Sequence, residues 1–211
     1  MQKEENNIKA IVFDIGGVLI YETGKEARKI LAKRYNFDSK KLSEFWKRNS
    51  TKSCIGKLHY KDFFKKFVKQ SKIRAKPEDL IKSWFDLRRK NSKINKPIER
   101  LIKNLRKRYI LVALTNSTLL NDKVKLRTNY YKLFNLKLIS YKIGVIKPQL
   151  RIYKLLIKQL KKKGISPKQA IFIDNESRNL IPAKKLRIKT ILFKNNNQLI
   201  KDLKKFGIKV K

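Results

Sequence analysis

Cysteine is nearly absent from this chain: Cys54 stands alone in 211 residues. One thiol excludes an internal disulfide and any zinc cage of several cysteines from a single chain, and it fits a reducing cytoplasm. Long apolar runs are missing as well. None approaches the length of a membrane span, and Asp14 interrupts the best of them. The segment Met1 to Asn7 is polar and mixed in charge, unlike a secretory signal. A cytoplasmic protein with no membrane partner is expected. Acidic residues are scarce too, 16 Asp and Glu against 56 Lys and Arg, for a net charge of +40. Two explanations stand. Clustered cations would bind nucleic acid or an anionic surface. Alternatively, joint abundance of Lys, Ile and Asn reflects an AT-rich coding sequence. The cations run through every helical segment without forming a like-charge tail, so drift is preferred, with nucleic acid kept as a partner that is not favoured. Either way the field draws in small phosphorylated anions.

What remains is ample for a core: 41% of residues are hydrophobic, enough for one domain with an insertion. The organising stretch is Lys9 to Ile20, in which the apolar run Ala10-Ile11-Val12-Phe13 meets Asp14, Ile15, Gly16 and Gly17. Burying an unpaired carboxylate is costly, so Asp14 belongs at the carboxyl end of a strand, facing the crevice where open α/β sheets bind ligands. The two glycines let the backbone turn and approach a ligand.

Residues 21–95 then read as four consecutive helices with aromatic stripes, the pattern of a bundle core. Asp38 reads as an N-cap and Pro77 as a helix start, while residues 49–57 read as a polar loop. A further helix begins at Pro97. Strand-like runs follow at residues 109–114, 136–140, 170–174 and 190–193, alternating with helices around Leu156 and Ala183. Such alternation argues a parallel sheet with right-handed crossovers.

This topology brings four polar strand or loop ends together: Asp14, Thr115-Asn116, Lys147-Pro148 and Asp174-Asn175. Two carboxylates suit Mg²⁺, which prefers hard oxygen ligands. The metal and Lys147 would neutralise phosphate oxygens, Thr115 and nearby N–H groups would hydrogen-bond them, and Asp14 would attack phosphorus.

These residues resemble the haloacid dehalogenase superfamily. Phe13 to Leu19 is similar to its first motif, Leu114 to Ser117 to its second, Gly144 to Pro148 to its third and Phe172 to Asn175 to its fourth. The helical insertion resembles the small cap of one subfamily. The text around Ser140 to Gly144 and Arg151 to Tyr153 resembles a branch with sugar-phosphate phosphatases and the phosphatase-like domain of some epoxide hydrolases. The resemblance implies an α/β fold: a Rossmann-like core with a mainly parallel sheet flanked by helices (1–20 and 96–211), plus an inserted all-helical cap (21–95). It implies Mg²⁺-dependent hydrolysis of a small phosphorylated substrate. Asp14 would be nucleophile and metal ligand. The Gly16 carbonyl and Asp174 would be further ligands. Gly16, Gly17, Thr115, Asn116 and Lys147 would line the phosphate.

Two positions depart from the pattern. Gly16 stands where many family phosphatases carry a second Asp as general acid and base, a loss of ~10²–10⁴-fold in rate. Asn175 stands where a second acid follows the first, with Glu176 as a neighbour able to compensate in the shell around the metal. His59 is read as structural. Tyr21, Glu22 and the loop from Cys54 to Tyr60 are candidate substrate contacts. Two other functions remain open: an inactive core serving as a basic nucleic-acid- or protein-binding module, and a dehalogenase.

Overall fold

The computed structural model describes residues 7–21, 23–125 and 129–210; Glu22 lies outside them. Its centre is β1 (Ala10–Phe13), paired in parallel with β2 (Ile110–Thr115) on one side and β4 (Ala170–Asp174) on the other. Beyond them lie β3 (Leu136–Ile139) and β5 (Lys189–Leu192), giving an all-parallel sheet in the order β3-β2-β1-β4-β5. Both faces are covered, which is why the strands read as continuous apolar runs. Ile11, Phe13, Ile171 and Ile173 pack with α5 (Lys96–Leu105) and α10 (Asn196–Lys205). Val12, Val112 and Phe172 pack with α8 (Leu150–Lys161) and α9 (Ser177–Lys185). From β1 the chain winds outward through β2 and β3, then returns to β4 on the other side. The strand order reverses between β1 and β4, and a crevice opens beyond the carboxyl ends of those strands.

Between β1 and α5 the chain forms a four-helix cap: α1 (Gly24–Arg34), α2 (Ser39–Cys54), α3 (Tyr60–Ser71) and α4 (Pro77–Asn91). It has its own core, with Phe64, Phe67 and Trp84 fully buried and Trp46 stacked on Trp84 at 4.7 Å. Asp38 caps α2 as expected, accepting from the Lys40 N–H at 2.8 Å. The polar stretch 49–57 is not the expected loop, because α2 continues to Cys54. Its polar side chains satisfy themselves on the preceding turn: Asn49 Nδ2 donates to the Phe45 carbonyl and Ser50 Oγ to that of Lys47, both at 2.9 Å.

Two of the elements that had no sequence expectation bear on the core and the cap. One is α10. The other is α6 (Leu119–Lys125), directly after β2, whose Leu120 is buried in the cap's core. The cap is therefore anchored by a plug from the sheet domain. Its two connecting strands also pair with each other: Tyr21 N–H donates to the Lys93 carbonyl at 3.0 Å, and Asn95 N–H to that of Leu19 at 2.9 Å.

A third contact lies at Gly56, after α2. Its φ is +77°, and a Cβ there would stand 2.5 Å from the carbonyl oxygen of Tyr141 in α7 (Ser140–Ile143). Gly56→Ala is expected to cost about 1–3 kcal/mol from the left-handed backbone and the clash together, read as a fall in Tm of ~2–12 °C. A change below one degree in a thermal melt would contradict this close approach of cap and core.

Candidate active site

The crevice is floored by two carboxylates from neighbouring strands. Asp14 follows β1, and its N–H donates to the Ile173 carbonyl at 2.8 Å; Asp174 ends β4. Both lie buried around one cation: Lys147 Nζ sits 2.8 Å from Asp14 Oδ1 and 2.6 Å from Asp174 Oδ2. Lys147 comes from the loop between α7 and α8 and is only 3% exposed. Burial opposes its charge, but the two carboxylates outweigh burial, so its pKa lies above the ordinary lysine value. Asp14 is pushed up by burial and, more weakly, by Asp174, against the opposing pull of Lys147. Two carboxylates against one ammonium leave a site short of positive charge.

Asp174 is held tightly. Its Oδ1 accepts from the Glu176 N–H at 2.8 Å, and Asn179 Nδ2 donates to both its oxygens at 3.1 Å. Among the described residues, the Asn179 Oδ1 is buried without a partner. Sequence reasoning missed Asn179, although its position four residues before Ala183, on the buried side of an otherwise charged helix, was a legible signal.

Asn116 has a different place from the one expected of a phosphate ligand. Its side chain clamps the Lys147 peptide from both sides: Nδ2 donates to the Lys147 carbonyl at 2.9 Å, and the Lys147 N–H donates to Oδ1 at 2.8 Å. The amide thus aims Lys147. Thr115 lies buried beside it at the end of β2. The next residue is pinned by a second missed group, the buried Asp122 of α6. Its Oδ1 accepts from Ser117 Oγ at 2.9 Å and from Tyr131 OH at 3.0 Å, and Tyr141 donates to it as well. Burial, reinforced by neighbours that include Asp122, holds both phenols protonated. Ser140 Oγ completes the lock, accepting from the Ser117 N–H at 2.9 Å and donating to its carbonyl at 3.0 Å.

Gly16 and Gly17 form the turn over Asp14. Gly17 has φ +78°, and a Cβ there would lie 2.5 Å from Asn175 Nδ2, so the Asn175 side chain rests on this turn. Glu176 points away, ion-paired with Arg178 at 2.6 Å on the surface; only its backbone reaches Asp174. His59 is an exposed N-cap of α3, its Nδ1 accepting from the Lys61 N–H at 3.2 Å. Among the described residues, no three His, Cys, Asp or Glu side chains gather as a metal cluster. The candidate donors are hard oxygens: Asp14, Asp174 and the Gly16 carbonyl. Together with the charge deficit and the orphaned Asn179 oxygen, they fit a hydrated Mg²⁺.

Comparison with known proteins agrees with this geometry. A bifunctional epoxide hydrolase 2 from Sus scrofa is 24% identical over 220 residues; the match covers 94% of this chain but 38% of the pig protein. The chain thus spans well under half the length of that relative. Among solved structures, a HAD family enzyme from Bacteroides thetaiotaomicron in complex with magnesium and inorganic phosphate superposes with TM-score 0.73 at 21% identity, over 89% of this chain and 94% of that one. A HAD-like family hydrolase from Porphyromonas gingivalis superposes with TM-score 0.75 at 19% identity, over 96% and 99% of the two chains. At such identities the superpositions establish the fold. The sequence match carries the family: a model of haloacid dehalogenase-like hydrolases matches residues 8–187, from ahead of β1 past α9. The chain belongs to the haloacid dehalogenase-like hydrolases.

Proposed function

We propose that this hydrolase is a Mg²⁺-dependent phosphatase acting on a small phosphorylated metabolite in the cytoplasm. Residues 1–20 and 96–211 would serve as its catalytic core and residues 21–95 as its cap. The carrying observation is the convergence of Asp14, Asp174 and Lys147 on one buried point of the crevice. The Bacteroides enzyme of the same fold holds magnesium and phosphate, which supports this reading. Asp14, the Gly16 carbonyl and Asp174 would hold Mg²⁺, with Asn175 and Asn179 available to its bound waters. Bound there, the metal supplies charge neutralisation of the phosphoryl oxygens.

The chain's own groups do the rest. A carboxylate oxygen of Asp14 attacks phosphorus, forming an aspartyl-phosphate as the ester P–O bond breaks. Thr115 and the backbone N–H groups of the Gly16–Gly17 and Asn116 turns bind the phosphoryl oxygens, while Lys147 balances their charge. Water then attacks the same phosphorus, freeing inorganic phosphate and restoring Asp14. Among the described residues, neither step has a proton carrier. Gly16 has no side chain, Lys147 keeps its proton, Asp174 is saturated with donors, and His59 is engaged as a cap. The substrate's leaving oxygen must therefore be weakly basic, as in an acyl phosphate or a sugar 1-phosphate. The dehalogenase alternative loses ground because Asp174 and Lys147 suit a multiply charged anion better than a halide.

Three measurements follow. Asp14→Asn is expected to abolish turnover in a metabolite phosphatase screen while retaining the fold; surviving hydrolysis would refute covalent catalysis. Acetyl phosphate should exceed simple alkyl phosphates by at least ~10-fold in kcat/KM, and equal rates would contradict the missing proton donor. Asn116→Ala should lower kcat by ~10–100-fold with a smaller change in KM, because it disorients Lys147 without touching the substrate. A rise in KM alone would instead make Asn116 a ground-state binding residue.

A further inference from the structure

Acids are sparse in the chain after the cap. Residues 96–211 carry 31 Lys and Arg and only five acids. Two of those acids are buried, Asp174 in the crevice and Asp122 behind it. The other three are already neutralised: Glu99 by Lys96 and Lys103, Glu176 by Arg178, and Asp202 by Lys205. Between Asp122 and Asp174 lie 51 residues with 14 cations and no acid. The cap retains exposed acids, Glu44 and Asp62 among them.

Within the acid-free segment, α8 presents an exposed stripe. Lys154, Lys158, Lys161 and Lys162 follow helical spacing and, with Ile157, line a shallow groove of about 560 Å³. None of the four is ion-paired among the described residues. Lys158 stands ~6 Å beyond Lys154 along the axis, and Lys162, at the helix end, ~6 Å beyond Lys158, comparable with the spacing of backbone phosphates. Packed beside α8, α9 and its end add Lys184, Lys185 and Arg187 on the same side of the sheet.

From this arrangement we infer that the α8–α9 face binds the phosphate backbone of duplex nucleic acid without reading its sequence. A membrane surface fits less well, because the main apolar side of α8 (Ile152, Leu156 and Leu160) is buried in the core, and the apolar side chains that this face presents, Leu150, Ile157 and Ile181, stand singly among lysines. Single strands fit less well too. The aromatics of this layer, Tyr153 and Phe172, are fully buried and offer no surface for base stacking. The contact is with phosphates, so DNA and RNA duplexes share the chemistry. It stands apart from the crevice and does not depend on the phosphatase proposal.

The test is fluorescence anisotropy of the full chain on labelled 20-base-pair DNA and RNA duplexes as salt is varied. The quadruple variant K154Q/K158Q/K161Q/K162Q is compared with K47Q/K65Q/K66Q/K69Q, which removes equal charge from exposed cap positions. The face variant should bind at least ~10-fold more weakly, with a log–log salt slope shallower by about 3–4, and the cap variant should lose less than ~3-fold. Equal losses in the two variants would overturn the assignment to this face. So would absence of wild-type binding at physiological salt, or equal affinity for phosphatidylserine vesicles.

Discussion

Everything at this site depends on a single buried cation shared by two carboxylates. Removing one partner from such a group leaves an uncompensated buried charge, at a cost of about 3–5 kcal/mol. The protein spends much of its polar apparatus on holding that geometry. Asn116 grips the Lys147 peptide, Asn179 and the Glu176 backbone fix Asp174, and the β1–β4 ladder sets Asp14 beside it. Each device acts on position and adds no further reactive group. That is the pattern expected where catalysis comes from preorganised charge around a phosphoryl group.

A second layer works behind the first. Asp122 has no contact with the crevice, yet it anchors Ser117, which follows the Thr115–Asn116 turn. The same helix, α6, sends Leu120 into the cap's core. The Thr115–Asn116 turn and the plug that seats the cap are therefore neighbours in one short stretch of chain. Movement of the cap would be felt at Asn116 and hence at Lys147, a direct physical route from cap position to charge position.

The sheet was legible because its strands are short, apolar and punctuated by acids, and its parallel sense followed from the alternation with helices. Asp14, Thr115, Lys147 and Asp174 were legible for the same reason: each stands at the carboxyl end of a strand or at a loop that this topology points inward. What escaped were partners whose meaning lies in three dimensions. Asp122 looks like an ordinary helix-surface residue until the fold buries it. The resemblance assigned Asn116 to the phosphate, and only the fold brings its amide onto the Lys147 peptide. Residues 49–54 were misread because their polar side chains bond back to their own helix. The charge reads as uniform along the chain, and only the fold shows which lysines share one exposed helix face.

The central claim is that Asp14 becomes covalently phosphorylated during turnover. The most direct measurement is peptide mass spectrometry of enzyme acid-quenched while hydrolysing acetyl phosphate with Mg²⁺ present. A mass gain of one phosphoryl group on the peptide carrying Asp14, absent when Mg²⁺ is removed, is the result expected. Steady turnover with that peptide unmodified at every quench time, or with the phosphoryl group on another residue, would contradict it.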